Sequence, residues 1–231
     1  MSDYSNGELQ TIVAARSLAG KRSCFIGVGR PSTAALLARM VHNPDLVLVY
    51  ESGTIGAKPF RVPLSIGDGE LAQTADLVVS VPEMFNYWIG PGRVQVAFLG
   101  AAQIDPHANL NSTVIGDYAH PKTRLPGAGG APEIATGCEE VVVIAPHTTR
   151  TLVQELDFKT TRGERTTMVI TDLGVLTPSG GELTLTTLHP GVTVQQVREN
   201  TGWELKTTDN VQVSEAPTPE ELAALRELVA R

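Results

Sequence analysis

The chain has 231 residues, 42% of them hydrophobic and 19% charged, enough apolar side chains for a sizeable core in one or two domains and too little charge for bulk disorder. Its net charge of -7 comes without the clustered Lys and Arg of a nucleic-acid or membrane-surface footprint, and no stretch approaches the roughly 20 apolar residues of a membrane span. The start, Met1 to Gln10, is polar and lacks the apolar core of a signal peptide, so a cytoplasmic protein acting on small molecules is expected.

In chain order, Ser5 and Glu8 have capping-box spacing and Leu9, Ile12, Val13 and Leu18 recur near helical period, predicting a first helix that ends around Gly20. Ser23 to Val28 reads as a short buried strand. Gly29-Arg30-Pro31 then opens a helix with Ala34, Leu37, Ala38 and Val41 on one face. Further strands are expected at Leu46 to Tyr50, Leu77 to Val81 and Val94 to Gly100, with Asp68 to Ala75 helix-compatible between them. Continuous apolar runs of this kind suit strands buried on both faces, so the alternating order predicts an α/β fold with a parallel sheet covered by helices.

Ala101 to Thr136 is rich in Asn, Pro and Gly, shows no clear periodicity, and is long for a plain connection, which marks it as functional or interface-forming. Strands return at Glu140 to Ala145, Thr167 to Thr171 and Leu183 to Leu188, with Ser179-Gly180-Gly181 supplying a hairpin turn. Thr193 with Gln196, and Thr218 with Glu221 behind Pro219, predict two closing helices; Asp209 to Pro219 reads as an extended crossing segment. No repeat or low-complexity linker appears, and a single domain over 1–231 is the expectation.

The two cysteines, Cys24 and Cys138, form no CxxC and are expected as buried thiols. The five histidines are scattered without an HExxH or a Cys/His cluster, so no metal site is expected.

Three segments can carry chemistry. The run "LVLVYESGTIGA", Leu46 to Ala57, delivers Glu51 to the end of a buried strand, where open α/β sheets place their ligand crevices. Gly53 and Gly56 let the backbone turn tightly there. Taken alone, Glu51 reads better as a solvated strand-end residue or a helix-dipole partner. The second segment, Leu125 to Glu133, sets Gly127, Gly129 and Gly130 before a helix starting near Pro132, where exposed N–H groups hold an anion or a developing oxyanion. A flexible turn is the competing reading. In the third, Phe98 to Thr113, Gln103, Asp105, Asn109 and Asn111 follow a strand end; amides there bond a substrate carboxylate, while Asp105 and Asn109 read better as turn formers. Gly27-Val28-Gly29 lacks the third glycine of a dinucleotide fingerprint. Tyr87 and Trp88 read as core or interface aromatics, and His189-Pro190-Gly191 as a turn.

Together these segments resemble the beta (β) chain of class I coenzyme A transferases, in the branch of glutaconate and some 3-oxoadipate CoA-transferases. The resemblance covers nearly the whole chain. It is carried by "GVGRPSTAA" (Gly27 to Ala35), "YESGTIGA" (Tyr50 to Ala57), "GAAQIDPHANLNSTVIGDYAHPKTRLPGAGGA" (Gly100 to Ala131) and "HPGVTVQQVRENTGWEL" (His189 to Leu205). It implies a three-layer α/β sheet with helices on both faces, of the ribose-phosphate isomerase and CoA-transferase type. It also implies a separate alpha subunit in a heterotetramer or hetero-octamer, a coenzyme A thioester as substrate, and no permanently bound cofactor.

By the same resemblance Glu51 is the nucleophile, attacking an acyl-CoA thioester to reach a glutamyl-CoA intermediate. Gly129 and Gly130, with Gly127, fall in the loop whose amides the family sets near the oxyanion. Gln103, after its strand end, is expected to bind substrate through its amide, and Arg30, beside Gly29 in the first glycine loop, to pair with the far end of a dicarboxylate. Arg30 reads equally as a surface arginine. Ala108 stands where related sequences often have glycine. The chemistry expected is CoA transfer to a small dicarboxylic or 3-oxo acid. An acyl-CoA hydrolase on the same fold and a non-catalytic metabolite-binding subunit are the alternatives.

Overall fold

The computed structural model describes residues 3–27 and 29–230, so Val28, the last residue of the first expected strand, lies outside the described residues, as do Met1 and Ser2 of the polar start. The chain divides into two compact units. The first comprises Met1–Leu99, Gly137–Glu139 and Ala216–Arg231; the second comprises Gly100–Thr136 and Glu140–Glu215.

The first unit opens with α1 (Asn6–Arg16), whose N-cap Ser5 and N3 Glu8 form the expected capping box. Strand β1 (Ser23–Ile26) is buried throughout and feeds α2 (Arg30–Leu37), which continues as a π-helical turn over Ala38–His42. Strands β2 (Val47–Tyr50) and β3 (Thr54–Ile55) follow, then α3 (Gly69–Thr74) and β4 (Leu77–Val78). Next come the single turn α4 (Val81–Glu83), extended by a π-helix over Met84–Ile89, and β5 (Val96–Leu99). The strand order is β5-β1-β2-β3-β4. β1 pairs in parallel with β2 and β5, as the apolar runs predicted, whereas β2, β3 and β4 pair antiparallel.

The last helix, α7 (Pro219–Ala230), belongs to this unit, packs against α2 and α1, and buries its Leu222, Leu225 and Leu228. Burying each such side chain contributes about 2 kcal/mol. Glu221 is 2% exposed, yet it stays charged because Arg16 grips both its oxygens at 2.7 Å and the Thr218 amide donates to it. Burial raises its pKa, but these partners outweigh burial and hold it near 2. Glu8 is likewise held near 2, chiefly by Arg226 of α7 at 2.8 Å.

The run Leu77 to Val81 is not the buried strand expected. Only Leu77 and Val78 are extended, both exposed, because Ser80 caps a helix at once, in a capping box with Glu83 and with Pro82 in its first turn. Within that helix Tyr87 is 61% exposed, so it is a surface side chain rather than core.

The second unit contains the long loop of the sequence, which is not featureless. It holds two hairpins, β6 (Gln103–Ile104) with β7 (Leu110–Asn111) and β8 (Val114–Gly116) with β9 (Pro121–Arg124). Strands of two to four residues are too short to print a period. The helix α5 (Ala131–Gly137) follows, its last residue falling in the first unit. The larger sheet of the second unit has order β14-β13-β12-β11-β10. β10 (Glu140–Ile144) pairs in parallel with β11 (Thr166–Ile170); β11 and β12 (Gly174–Ser179) are antiparallel. The turn at Gly180 and Gly181 falls where expected, but the hairpin it closes joins β13 (Glu182–Leu188) to β12, a strand the sequence reading lacked, rather than to the Thr167–Thr171 run. Helix α6 (Val194–Glu199) carries the Thr193–Gln196 capping box, and the expected crossing segment is instead led by a strand, β14 (Lys206–Val213), parallel to β13. The sheets are therefore mixed rather than parallel throughout.

Candidate active site

Ile26 sits in register with Tyr50 on one side and Phe98 on the other, so Gly27, Glu51 and Leu99 leave three adjacent parallel strands at their carboxyl ends. That edge is where α/β sheets bind ligands. Glu51 is half-buried, one step beyond a Tyr50 that is wholly buried. Its turn is closed by the Gly53 amide, which donates to the Tyr50 carbonyl at 3.0 Å, and the Val79 amide donates to the Gly53 carbonyl at 2.9 Å. Gly53 has φ +101, and a Cβ there would lie 1.9 Å from the Val79 oxygen. At Gly56, φ +70, a Cβ would lie 2.3 Å from an Asp76 carboxylate oxygen. The glycines thus let two strands close around the base of Glu51 and fix it.

The same hairpin carries buried hydroxyls. Ser52 Oγ and Thr54 Oγ1 have no hydrogen-bond partner among the described residues, and Thr54 is only 3% exposed. Burial pushes the Tyr50 phenol up to about 12, against the influence of Ser32, so it stays neutral at physiological pH.

Beside Glu51, Gly29 takes φ +81 and accepts the Thr33 amide at 3.1 Å, while Ser32 Oγ donates to the Gly27 carbonyl at 2.7 Å. Arg30 starts α2 but reaches toward α1, where its Nη1 bonds the side-chain oxygen of the buried Gln10. It lines a cavity of about 450 Å³ with Glu8, Thr11, Leu225 and Arg226.

The remaining expected residues belong to the second unit. Gly127 (φ +101) and Gly129 (φ +50) take left-handed conformations with open space where a Cβ would stand. Gly127 donates to the Ser112 carbonyl at 2.9 Å and its own carbonyl receives Ser112 Oγ at 2.9 Å. For the amides of Gly129 and Gly130 no acceptor is found among the described residues, and Gly130 leads directly into α5.

Gln103, 7% exposed, is held from both ends of its amide. Its oxygen receives Asn111 Nδ2 at 2.6 Å and the Asp157 amide at 3.1 Å, and its nitrogen donates to Asp157 Oδ2 at 2.9 Å. Asp157 escaped the sequence reading because nothing local marks it; it also fixes the Gly116 amide at 3.1 Å. Asp105 is the turn former expected, accepting the amides of His107 and Asn109 at 2.9 Å and Asn109 Nδ2 at 2.8 Å. Ala108 has φ +59, a left-handed backbone that favours glycine over a residue with a Cβ.

Two histidines play a larger part than their sequence context suggested. His189 begins a turn, as expected, but its ring is 1% exposed and bridges Ser214 Oγ at 3.0 Å and the Thr171 carbonyl at 2.8 Å. His147, 3% exposed, bridges Thr171 Oγ1 at 2.8 Å and Thr201 Oγ1 at 3.0 Å. Desolvation pulls both pKa values down, that of His147 to about 4 despite the Asp172 charge. Cys24 and Cys138 are both buried, as expected.

A family model described as Coenzyme A transferase matches residues 9–200. The chain belongs to the coenzyme A transferase family. Among its CoA-transferase relatives, the beta subunit of 3-oxoadipate CoA-transferase from Pseudomonas knackmussii is 52% identical over 100% of this chain and 95% of that protein. The crystal structure of glutaconate coenzyme A-transferase from Acidaminococcus fermentans superposes with a TM-score of 0.92 at 30% identity, covering 98% of this chain and 95% of that one. The IpdB component of a cholesterol ring-cleaving hydrolase from Rhodococcus jostii is 28% identical over 86% of this chain and 81% of its own length. The CoA-transferase α/β fold expected from the resemblance is the fold observed, and this chain is a beta subunit of the glutaconate and 3-oxoadipate branch. CoA-transferases take coenzyme A thioesters as substrates.

Proposed function

We propose that the chain works as one catalytic domain of a heteromeric CoA-transferase, moving CoA from a donor such as succinyl-CoA to a small dicarboxylic or 3-oxo acid, 3-oxoadipate first among them. The observation that carries this is Glu51, clamped at the carboxyl edge of β1, β2 and β5 in a chain 52% identical to the beta subunit of a 3-oxoadipate CoA-transferase.

In the first half-reaction the Glu51 carboxylate adds to the thioester carbonyl, and the tetrahedral intermediate expels CoA thiolate to leave a mixed anhydride. The thiolate attacks the glutamyl carbonyl and displaces the donor carboxylate, giving a glutamyl-CoA thioester. An acceptor carboxylate then attacks that thioester, thiolate leaves, and thiolate attack on the acceptor acyl carbon forms the new acyl-CoA and frees Glu51. No net proton or water is consumed. A carboxylate at neutral pH needs alignment rather than a base, which the Gly53 turn supplies. The amides of Gly129 and Gly130 receive the oxyanion, each such donor lowering the barrier by roughly 3 kcal/mol. Gly127 holds the loop to Ser112, Gln103 fixes the strand before it, and Gly29 and Arg30 border the acid. The working assembly is a cytoplasmic heterotetramer or hetero-octamer with the alpha subunit.

The test is a complex co-expressed with its alpha subunit, given candidate acyl-CoAs without acceptor. A CoA adduct on Glu51, seen by intact mass and trapped by hydroxylamine, with ping-pong exchange, is the expected result. Release of free CoA by water without an adduct would sink the transferase reading in favour of hydrolysis.

A further inference from the structure

The hairpin β8–β9 carries a surface whose chemistry Glu51 does not use. Tyr118 at its tip is 57% exposed and stacks on Phe158 with ring centroids 5.4 Å apart and planes 25° from parallel. The Arg124 guanidinium lies 4.7 Å from the Tyr118 ring centroid, and its Nη2 donates to the Tyr118 carbonyl at 2.8 Å. The tip itself is fixed by Asp117, whose carboxylate accepts the amides of Ala119 and His120 at 2.9 and 2.8 Å.

Arg124 is held in place without being neutralised. Arg16, Arg22, Arg61, Arg162 and Arg226 each pair with a carboxylate, whereas among the described residues no carboxylate lies within ion-pair reach of Arg124. Asp157, next to Phe158, is committed to Gln103 and Gly116. A guanidinium pinned on an aromatic column, with Lys122 exposed two residues away on the same strand, suits a planar base and its phosphates.

The hairpin is tied to the glycine loop. The Leu125 amide donates to the Thr113 carbonyl at 3.1 Å and that of Gly127 to Ser112 at 2.9 Å. Arg124 precedes Gly129 by five positions, so the chain allows at most about 18 Å between them, a span the extended pantetheine arm covers.

We propose that the Tyr118–Arg124 hairpin holds the phosphoadenosine end of coenzyme A, the adenine stacking on the column and Arg124 with Lys122 pairing its phosphates. This rests on the CoA-thioester reading above and adds the residues that grip the end far from the reacting sulfur.

The test uses the complex with the alpha subunit and calorimetric titration with CoA, dephospho-CoA and pantetheine. Arg124→Gln and Tyr118→Ala are expected to weaken CoA binding about tenfold while pantetheine binding stays at the wild-type value. Tyr118→Phe keeps CoA affinity, and Lys122→Gln, on an exposed side chain, lowers CoA affinity and narrows its advantage over dephospho-CoA. CoA affinity unchanged in both Arg124→Gln and Tyr118→Ala overturns the proposal. So does equal loss of pantetheine binding, or a complex that no longer assembles with the alpha subunit, which would make the hairpin a subunit contact. Adduct formation on Glu51 is read separately: a failed nucleophile leaves CoA binding intact, and a failed hairpin site leaves the adduct.

Discussion

Gly53 and Val79 lie so close that their backbones share a hydrogen bond of 2.9 Å and leave no room for a methyl group, which would sit 1.9 Å from the Val79 oxygen. Gly53→Ala therefore has to open β3 from β4 or twist the Glu51 turn. The expected cost is about 3 kcal/mol, from overpacking and a φ of +101 together. Chemical denaturation of the complex checks the stability, and activity is expected to fall further than stability alone explains. An alanine variant as stable and active as wild type would refute the clamp.

Glu51→Asp keeps the charge but withdraws the carboxylate by one methylene. If Glu51 attacks the thioester, this misplacement of about 1 Å costs roughly 10²-fold in kcat, since alignment is what the turn provides. Glu51→Gln should abolish exchange between labelled acid and acyl-CoA. Equal activity of the aspartate and glutamine variants would speak against a nucleophile.

Thr54 Oγ1 is buried with no partner among the described residues, a state that costs free energy in a resting protein. Thr54→Val, which keeps the shape and deletes the hydroxyl, is expected to raise stability by about 1 kcal/mol. The readout is melting temperature beside kcat and KM. Unchanged kinetics mark the hydroxyl as idle; a lowered kcat at unchanged KM marks it as a positioning group for Glu51.

His147 titrates near 4 when folded and near 6.5 when unfolded, because burial disfavours its cation. The unfolded chain takes up its proton first as pH falls, so this stability is present in full above 6.5 and is lost between 6.5 and 4, up to roughly 3 kcal/mol. His189, lowered in the same direction, adds to the loss. The carboxylates Glu221 and Glu8, held near 2, act in a separate window, losing their stabilisation between about 4.5 and 2. Unfolding of the complex followed from pH 7 to 4 should show the first slope, and His147→Gln should flatten it.

What the sequence revealed was local. The capping boxes at Ser5, Thr193 and Thr218 were readable because each is complete within four residues, and Glu51 was readable because an apolar strand and two glycines bracket it. The partners of Gln103 were not, since Asp157 stands 54 residues away and only the folded chain brings it near. The Leu77–Val81 run misled because apolarity marks burial or an exposed edge alike, and the Ser80–Glu83 cap decided the matter. His189 sits in an ordinary His-Pro-Gly turn, and its buried role is set by Thr171 and Ser214 from elsewhere in the chain.

The Arg16–Glu221 pair joins residues 205 positions apart. A ribosome making this chain completes all of Gly100–Thr136 and Glu140–Glu215 before it reaches α7, so the second unit has its full complement of residues while α1 and α2 still lack the helix that packs on both. Until that helix emerges, the face of α1 and α2 that it covers remains open to water or to a chaperone, and the unit bearing Glu51 is the last to mature during synthesis.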